Sequence, residues 1–347
     1  MRRSTYNYLC HALAGSPDKW RPLLAVYYLT YACDFRCPKC CDGSGTPYYR
    51  LGSPVLSGPD VMRLLSTVRR HSDYLVITGG EPLKHPGLAY VLSHIGGLRF
   101  DGVVFTTNGY GVGPHLPAIV SSVQHLVFSI DTLDPEKADR WFGMGPGILS
   151  NILREIERAR EMAAGRCEII ISSVAMPDNL DDLNAVYDYA RERGFRFALC
   201  PVLEGVKAPA AFNGNDAYRR LFDRLIADKK GVANIHGSVQ YLEHMRDLKK
   251  FSCRPSTVLA ISPAGDVFYP CLEQGNVAGN LLETPDLHEI RAEGRRRFGP
   301  EPSCDTRCHS ACALGLSLAL NHPLSSANEG WLMLRREVGK RLGVERS

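Results

Sequence analysis

Three cysteines crowd the stretch Cys33-Asp34-Phe35-Arg36-Cys37-Pro38-Lys39-Cys40. Thiolates are the usual protein ligands of iron-sulfur clusters, and three of them on one loop can take three irons and leave a fourth without a protein ligand. An open iron can bind a substrate or a cofactor. The competing reading is a zinc knot, which would need Cys41 or His71 as a fourth ligand and usually takes CxxC pairs. Cys41 is read as a buried neighbour, because a fourth thiolate would close the iron that the chemistry needs.

A second group lies near the carboxyl end, at Cys253, Cys271, Cys304, Cys308 and Cys312. Between its first two members the run Ile261-Ser262-Pro263-Ala264-Gly265-Asp266-Val267-Phe268 reads as a two-stranded ribbon with a tight Gly-Asp turn, which can bring both thiols to one end. Cys304, Cys308 and Cys312 recur at intervals of four and would share one face of a helix. Cys10, Cys167 and Cys200 stand alone, and a lone cysteine is usually a small buried hydrophobe.

The elements that must position these thiols follow from periodicity. From residue 23, β-branched and aromatic runs alternate with amphipathic stretches, the pattern of βα units around a parallel sheet. Strands are expected at 24–30, 74–78, 102–107, 125–130, 168–174 and 195–201, with helices between them. Ser57 and Asp60 form a capping box with Pro59, and helices are expected over 151–164 and 178–193, the latter stopped by Gly194. Six units suit a partial barrel better than a closed eightfold one. Polar motifs fall at the strand ends, where functional loops sit: Thr78-Gly79-Gly80-Glu81-Pro82, Thr106-Thr107-Asn108-Gly109 and Ser129-Ile130-Asp131.

The cysteine loop after the first strand, with Gly79-Gly80-Glu81-Pro82 one unit later and the TNG and S-x-D strand ends beyond, resembles the radical S-adenosylmethionine (radical SAM) family. The resemblance implies that Cys33, Cys37 and Cys40 bind a 4Fe-4S cluster and that S-adenosylmethionine chelates the fourth iron, its sulfonium bond breaking to give a 5′-deoxyadenosyl radical. Gly79, Gly80 and Glu81 would meet the amino group of that cofactor, and Thr106, Asn108, Ser129 and Asp131 its ribose or carboxylate. The residue before the third cysteine is commonly aromatic in the family and is Lys39 here, which leaves Phe35 to pack the adenine. The carboxyl-terminal cysteines resemble the SPASM/twitch extension, and five of them favour one auxiliary 4Fe-4S cluster with four ligands over the two clusters of the full pattern. A zinc ribbon is the alternative for this group.

The fold expected is therefore α/β, a partial (β/α)6 TIM-like barrel with a small cysteine-rich iron-sulfur domain at the carboxyl end. Residues 1–22 form a lead-in, 23–235 the barrel, 236–325 the auxiliary domain and 326–347 a helix that packs back, with Trp331, Leu334 and Val338 on one face. At 347 residues and 44% hydrophobic content the chain can bury a real core. The balance of 41 basic against 37 acidic residues argues against a nucleic-acid partner, and the run Arg295-Arg296-Arg297 reads as a solvated helix end. No apolar run approaches a bilayer span and no signal-peptide core is evident, so the expected compartment is the cytoplasm, where twelve cysteines point to metal rather than disulfides.

For function the expectation is hydrogen abstraction from a small molecule by the deoxyadenosyl radical, with reducing electrons from a flavodoxin or ferredoxin. The first reading is dehydrogenation of a sugar or aminocyclitol hydroxyl in natural-product biosynthesis, a base such as Glu204 or Asp266 taking the proton and the auxiliary cluster the electron. The second is redox-neutral decarboxylation or epimerisation of a sugar or nucleoside, with Cys41 or Cys200 as hydrogen donor. Peptide maturation is a third reading, weakened by the short lead-in. A non-catalytic metal-binding scaffold would leave the strand-end motifs unexplained.

Overall fold

The structure, a computed structural model, describes residues 3–13, 21–40, 45–52, 54–230, 234–300 and 308–323. Its centre is a sheet in the order β6-β5-β4-β3-β2-β1-β7-β8-β9. The first six strands are Leu24–Thr30 (β1), Tyr74–Gly79 (β2), Gly102–Thr107 (β3), His125–Ser129 (β4), Glu168–Ala175 (β5) and Arg196–Pro201 (β6), all paired in parallel. The fold is the expected α/β barrel segment, and the sheet does not close.

The helices are α1 (Arg3–Leu13), α2 (Gly58–His71), α3 (Leu88–His94), α4 (Leu116–Ser122), α5 (Pro135–Phe142), α6 (Ile148–Ala163), α7 (Leu180–Glu192), α8 (Asp216–Lys230), α9 (Val239–Asp247), α10 (Leu287–Phe298) and α11 (Ala311–Asn321), in chain order. Ser57 caps α2, its hydroxyl accepting from Asp60 N at 3.2 Å. α1 was not expected in the lead-in. It is held by an ion pair from Arg3 to Asp73 and by Tyr8 Oη donating to Ala319 O at 2.8 Å.

Strand alternation sorts the side chains. Tyr27, Ile77, Phe105, Phe128, Ile171 and Leu199 point outward under the helices and are buried, each worth about 1.5–3 kcal/mol of apolar transfer. The opposite parity, Tyr28, Thr78, Thr106, Ser129, Ser172 and Cys200, is half-buried and faces inward.

The carboxyl-terminal ribbon is not set apart from this sheet. Strand β7 (Val258–Ile261) pairs in parallel with β1, and β8 (Asp266–Phe268) and β9 (Val277–Asn280) add antiparallel strands beyond it. The backbone therefore runs continuously across the boundary expected near residue 235. At the other edge Phe197 N donates to Asn234 O at 2.9 Å, a short parallel bridge that covers part of β6.

Helix α11 is mostly apolar and buries Ala313, Leu314, Ser317, Leu318 and Leu320. Just before it, His309 N donates to Val206 O at 3.1 Å in the loop after β6. Farther along, Ser317 Oγ accepts from Arg254 N at 2.9 Å just before β7. The helix and the residues before it thus tie the loop after β6 to the segment before β7.

Candidate active site

The thiol loop leaves β1 and turns at Cys37, where Cys40 N donates to Cys37 O at 3.1 Å. Cys33, Cys37 and Cys40 act on one another electrostatically, and burial pushes the Cys33 thiol up to about 11 and that of Cys37 to about 12. Buried thiols that resist ionisation become good ligands once a cation compensates them, so this donor set fits an iron-sulfur cluster. Among the described residues no three His, Cys, Asp or Glu side chains converge on a single-ion site. Cys41 lies outside the described residues.

The glycines of the second motif have a role that their sequence does not announce. A Cβ at Gly79 would sit 2.2 Å from Thr30 O, and one at Gly80 would sit 2.4 Å from Tyr31 O and 2.5 Å from Ala32 O. Gly80 N donates to Thr30 O at 2.7 Å and Glu81 N to Ala32 O at 2.8 Å. Their close approach is therefore to the backbone that leads into the thiol loop.

Glu81 is 1% exposed. It accepts from Leu83 N at 3.1 Å, Thr107 Oγ1 at 2.9 Å and Asn108 N at 2.7 Å, which ties the loop after β2 to the loop after β3. Burial raises its carboxyl from 4.5 to about 7 against those three donors. Within that window the folded chain holds a proton that the unfolded chain has released. The stabilising contribution is thus complete below about pH 4.5 and is lost as pH rises to about 7, by roughly 3 kcal/mol in all. Glu81→Gln should flatten this decline in urea unfolding of the iron-free chain between about pH 5 and about pH 8. An unchanged slope would remove Glu81 as its source.

Asn108 Nδ2 lies 3.9 Å from Cys33 Sγ, and its Oδ1 accepts from Tyr110 N at 2.8 Å. Asp131 is occupied on both oxygens, by an ion pair with Lys39 and by Val174 N at 2.8 Å. Thr106 and Ser129 are half-buried on the inward face. Phe35 does not offer a face for adenine: it is 4% exposed and stacks on Phe142 with centroids 4.1 Å apart, so it anchors the loop to the core.

Other expected residues divide between inside and outside. Cys200 is half-buried on the inward face, and burial pushes its thiol up to about 11 while Lys39 and Asp131 act on it. Glu204 is exposed in a tight turn, its N donating to Lys207 O at 2.7 Å, so it does not reach the interior. Asp266 accepts from Ser262 Oγ at 2.8 Å and from Asn280 Nδ2 at 2.9 Å, which makes it the tie of the ribbon turn rather than a free base.

In the second thiol group, Cys253 precedes β7 and Cys271 follows β8, at the same end of the ribbon. Cys271 interacts electrostatically with Cys308 and is hydrogen-bonded to Glu273. Cys308 lies before α11 and Cys312 within it, so the expected shared helical face does not extend through these two; Cys304 lies outside the described residues. Cys312 is exposed by surface yet burial pushes its thiol up to about 11, with Glu273 and Cys200 acting on it. The helix expected over 326–342 is likewise outside the described residues.

Tyr28, Tyr48 and Glu273 join the site without any local sequence signal beyond the inward parity of Tyr28. The hydroxyls of Tyr28 and Tyr48 lie 3.4 Å apart, their rings stack at 5.5 Å, and Tyr31 sits against Tyr48 at 5.7 Å. Glu273 and Cys312 act on the Tyr28 hydroxyl, which burial holds well above the usual phenol range.

Comparison with known proteins places this arrangement. Residues 27–190 match the family described as the radical SAM superfamily. GTP 3′,8-cyclase of Campylobacter fetus subsp. fetus (strain 82-40) is 28% identical over 278 residues, covering 75% of this chain and 83% of that protein. GTP 3′,8-cyclase of Sinorhizobium medicae (strain WSM419) is 31% identical over 189 residues, covering 50% of this chain and 51% of its own, so the chain spans about half the length of that relative. The crystal structure of Streptococcus suis SuiB bound to precursor peptide SuiA superposes with a TM-score of 0.60 at 20% identity, covering 78% of this chain and 64% of that one, a likeness of fold. No helix among the described residues is long and apolar enough to cross a membrane. Thiol loop, strand-end motifs and matched residues agree: residues 27–190 of the chain form a radical SAM domain.

Proposed function

We propose that this enzyme removes a hydrogen atom from a small hydroxylated molecule, a sugar or an aminocyclitol, held against the inward face of the sheet, and oxidises it at that carbon. The observation that carries the reading is the inward row Tyr28, Thr78, Thr106, Ser129, Ser172 and Cys200, mostly hydroxyl-bearing and half-buried across the six parallel strands. When bound, a 4Fe-4S cluster and S-adenosylmethionine supply a 5′-deoxyadenosyl radical. Cys33, Cys37 and Cys40 are the residues assigned to hold that cluster, with Gly79 to Glu81, Thr106, Asn108, Ser129 and Asp131 bordering the cofactor's place.

Hydroxyl side chains at strand ends can donate and accept, which suits a substrate with several hydroxyls. Glu273 replaces Glu204 and Asp266 as the proposed base. It is half-buried between Cys271, Cys312 and Tyr28, where a substrate hydroxyl proton could pass to it. Four of Cys253, Cys271, Cys304, Cys308 and Cys312 are proposed to hold one auxiliary 4Fe-4S cluster of the SPASM/twitch kind, which when bound supplies a one-electron acceptor.

A second reading, redox-neutral cyclisation of a purine nucleotide, is favoured by the Campylobacter fetus relative, named GTP 3′,8-cyclase and similar along three quarters of this chain. In that reading the Tyr28–Tyr48 stack offers a platform for the base. A peptide substrate is the third, motivated by the fold likeness to SuiB with its precursor peptide.

The reconstituted enzyme with S-adenosylmethionine and a reductant, offered carbon-deuterated aminocyclitols, sugars, GTP and short peptides in turn, separates these readings. The first expects deuterium in 5′-deoxyadenosine with an aminocyclitol or sugar, and a product lighter by one hydrogen molecule. An isomer of GTP establishes the second reading in its place, and deuterium transfer from peptides alone would sink both.

A further inference from the structure

We propose that Asn108 donates a hydrogen bond to the Cys33 sulfur and thereby sets how readily the cluster at that loop accepts an electron; this rests on the reading that Cys33 is an iron ligand. The geometry is a side-chain nitrogen, Nδ2, 3.9 Å from Sγ. Amide ends are assigned by their partners. Here Oδ1 accepts from Tyr110 N at 2.8 Å, so the acceptor end is fixed toward that backbone group and the donor end turns to the sulfur. The Asn108 backbone is fixed as well, its N–H donating to the buried Glu81 at 2.7 Å. The next residue, Gly109, has φ +83, and a Cβ there would lie 2.8 Å from Ile152 Cγ2, so the turn cannot relax toward a bulkier residue.

A donor held this way acts on charge that changes. Reduction adds negative charge to a cluster and its thiolates, and an N–H aimed at one thiolate stabilises the reduced form more than the oxidised one. Asn108 is thus a positioning residue for the electron, reached through Cys33. Glu81 and the TNG turn form the mount that keeps its amide in place.

Two variants separate the donor from the scaffold. Asn108→Asp keeps an acceptor for Tyr110 N and loses the N–H, while Asn108→Ala loses both. Wild type and variants are reconstituted anaerobically and their reduction followed by electron paramagnetic resonance without S-adenosylmethionine. Both variants should take up iron as the wild type does and reduce at more negative potential, Asn108→Asp the more so because a carboxylate then faces the sulfur. In wild type grown with isotopically labelled asparagine, the reduced cluster should show a labelled-nitrogen coupling that Asn108→Ala lacks. An unshifted potential in loaded variants overturns the proposal, as does a wild-type cluster without that coupling. If the variants fail to load, the coupling in wild type alone decides. A wild-type chain that assembles no cluster overturns the underlying reading, and this one with it.

Discussion

Cys37→Ala is expected to lower the iron content of the reconstituted chain from about eight to about four per chain, and to reduce 5′-deoxyadenosine formation to background. Cys37 is the middle thiol of the loop, and it acts electrostatically on Cys33 and Cys40 alike. Two remaining thiols cannot hold a cluster whose other iron must stay open. The fold should survive, because Cys37 is only half-buried and its loss leaves the core strands untouched; the iron-free variant should lose no more than about 1 kcal/mol. Iron assay, chromatography of the nucleoside product and urea unfolding check the three parts. A variant that still makes deoxyadenosine at the wild-type rate would remove this loop from the chemistry.

Gly80→Ala is expected to be nearly as damaging, for a reason that lies in packing. The added methyl would meet two carbonyl oxygens, Tyr31 O at 2.4 Å and Ala32 O at 2.5 Å, and neither belongs to a flexible side chain. The loops after β1 and β2 are joined there by Gly80 N to Thr30 O and Glu81 N to Ala32 O, so relief requires the thiol loop to move away from β2. We expect a loss of roughly 3 kcal/mol in the iron-free chain together with impaired iron uptake. Gly96→Ala is the control, since nothing lies within 4 Å of its added methyl, and it should change neither. Equal behaviour of the two variants in denaturant titration would refute the clamp.

Much of this is legible in the sequence. The six parallel strands read as short β-branched and aromatic runs with one parity buried under the helices, and each expected strand overlaps the observed one within a residue or so. The thiols, the glycine pair and Asn108 were visible because each lies in a compact motif at a strand end. Their partners were not. The Asn108 amide reaches Cys33 Sγ, and Phe35, expected beside adenine, stacks on Phe142. Those contacts join residues 75 and 107 positions apart, and no local pattern records them.

The same limit hid other features. Helix α11 is mostly apolar, so it carries no amphipathic stripe to tell which elements it ties together. Strand β9 has four residues, one of them Gly279, too few to build an alternation. Glu273 follows Cys271 by two positions in an ordinary turn, and only the fold brings it beside Tyr28 and Cys312.

The central claim is that Cys33, Cys37 and Cys40 hold a cluster with one iron open to S-adenosylmethionine. Electron paramagnetic resonance of the anaerobically reconstituted, reduced enzyme tests it most directly. With the carboxyl-terminal cysteines replaced by alanine, to leave the front centre alone, the account predicts a reduced-cluster signal whose g values shift when S-adenosylmethionine is added. A signal that ignores the cofactor, or zinc in place of iron at those thiols, would contradict it.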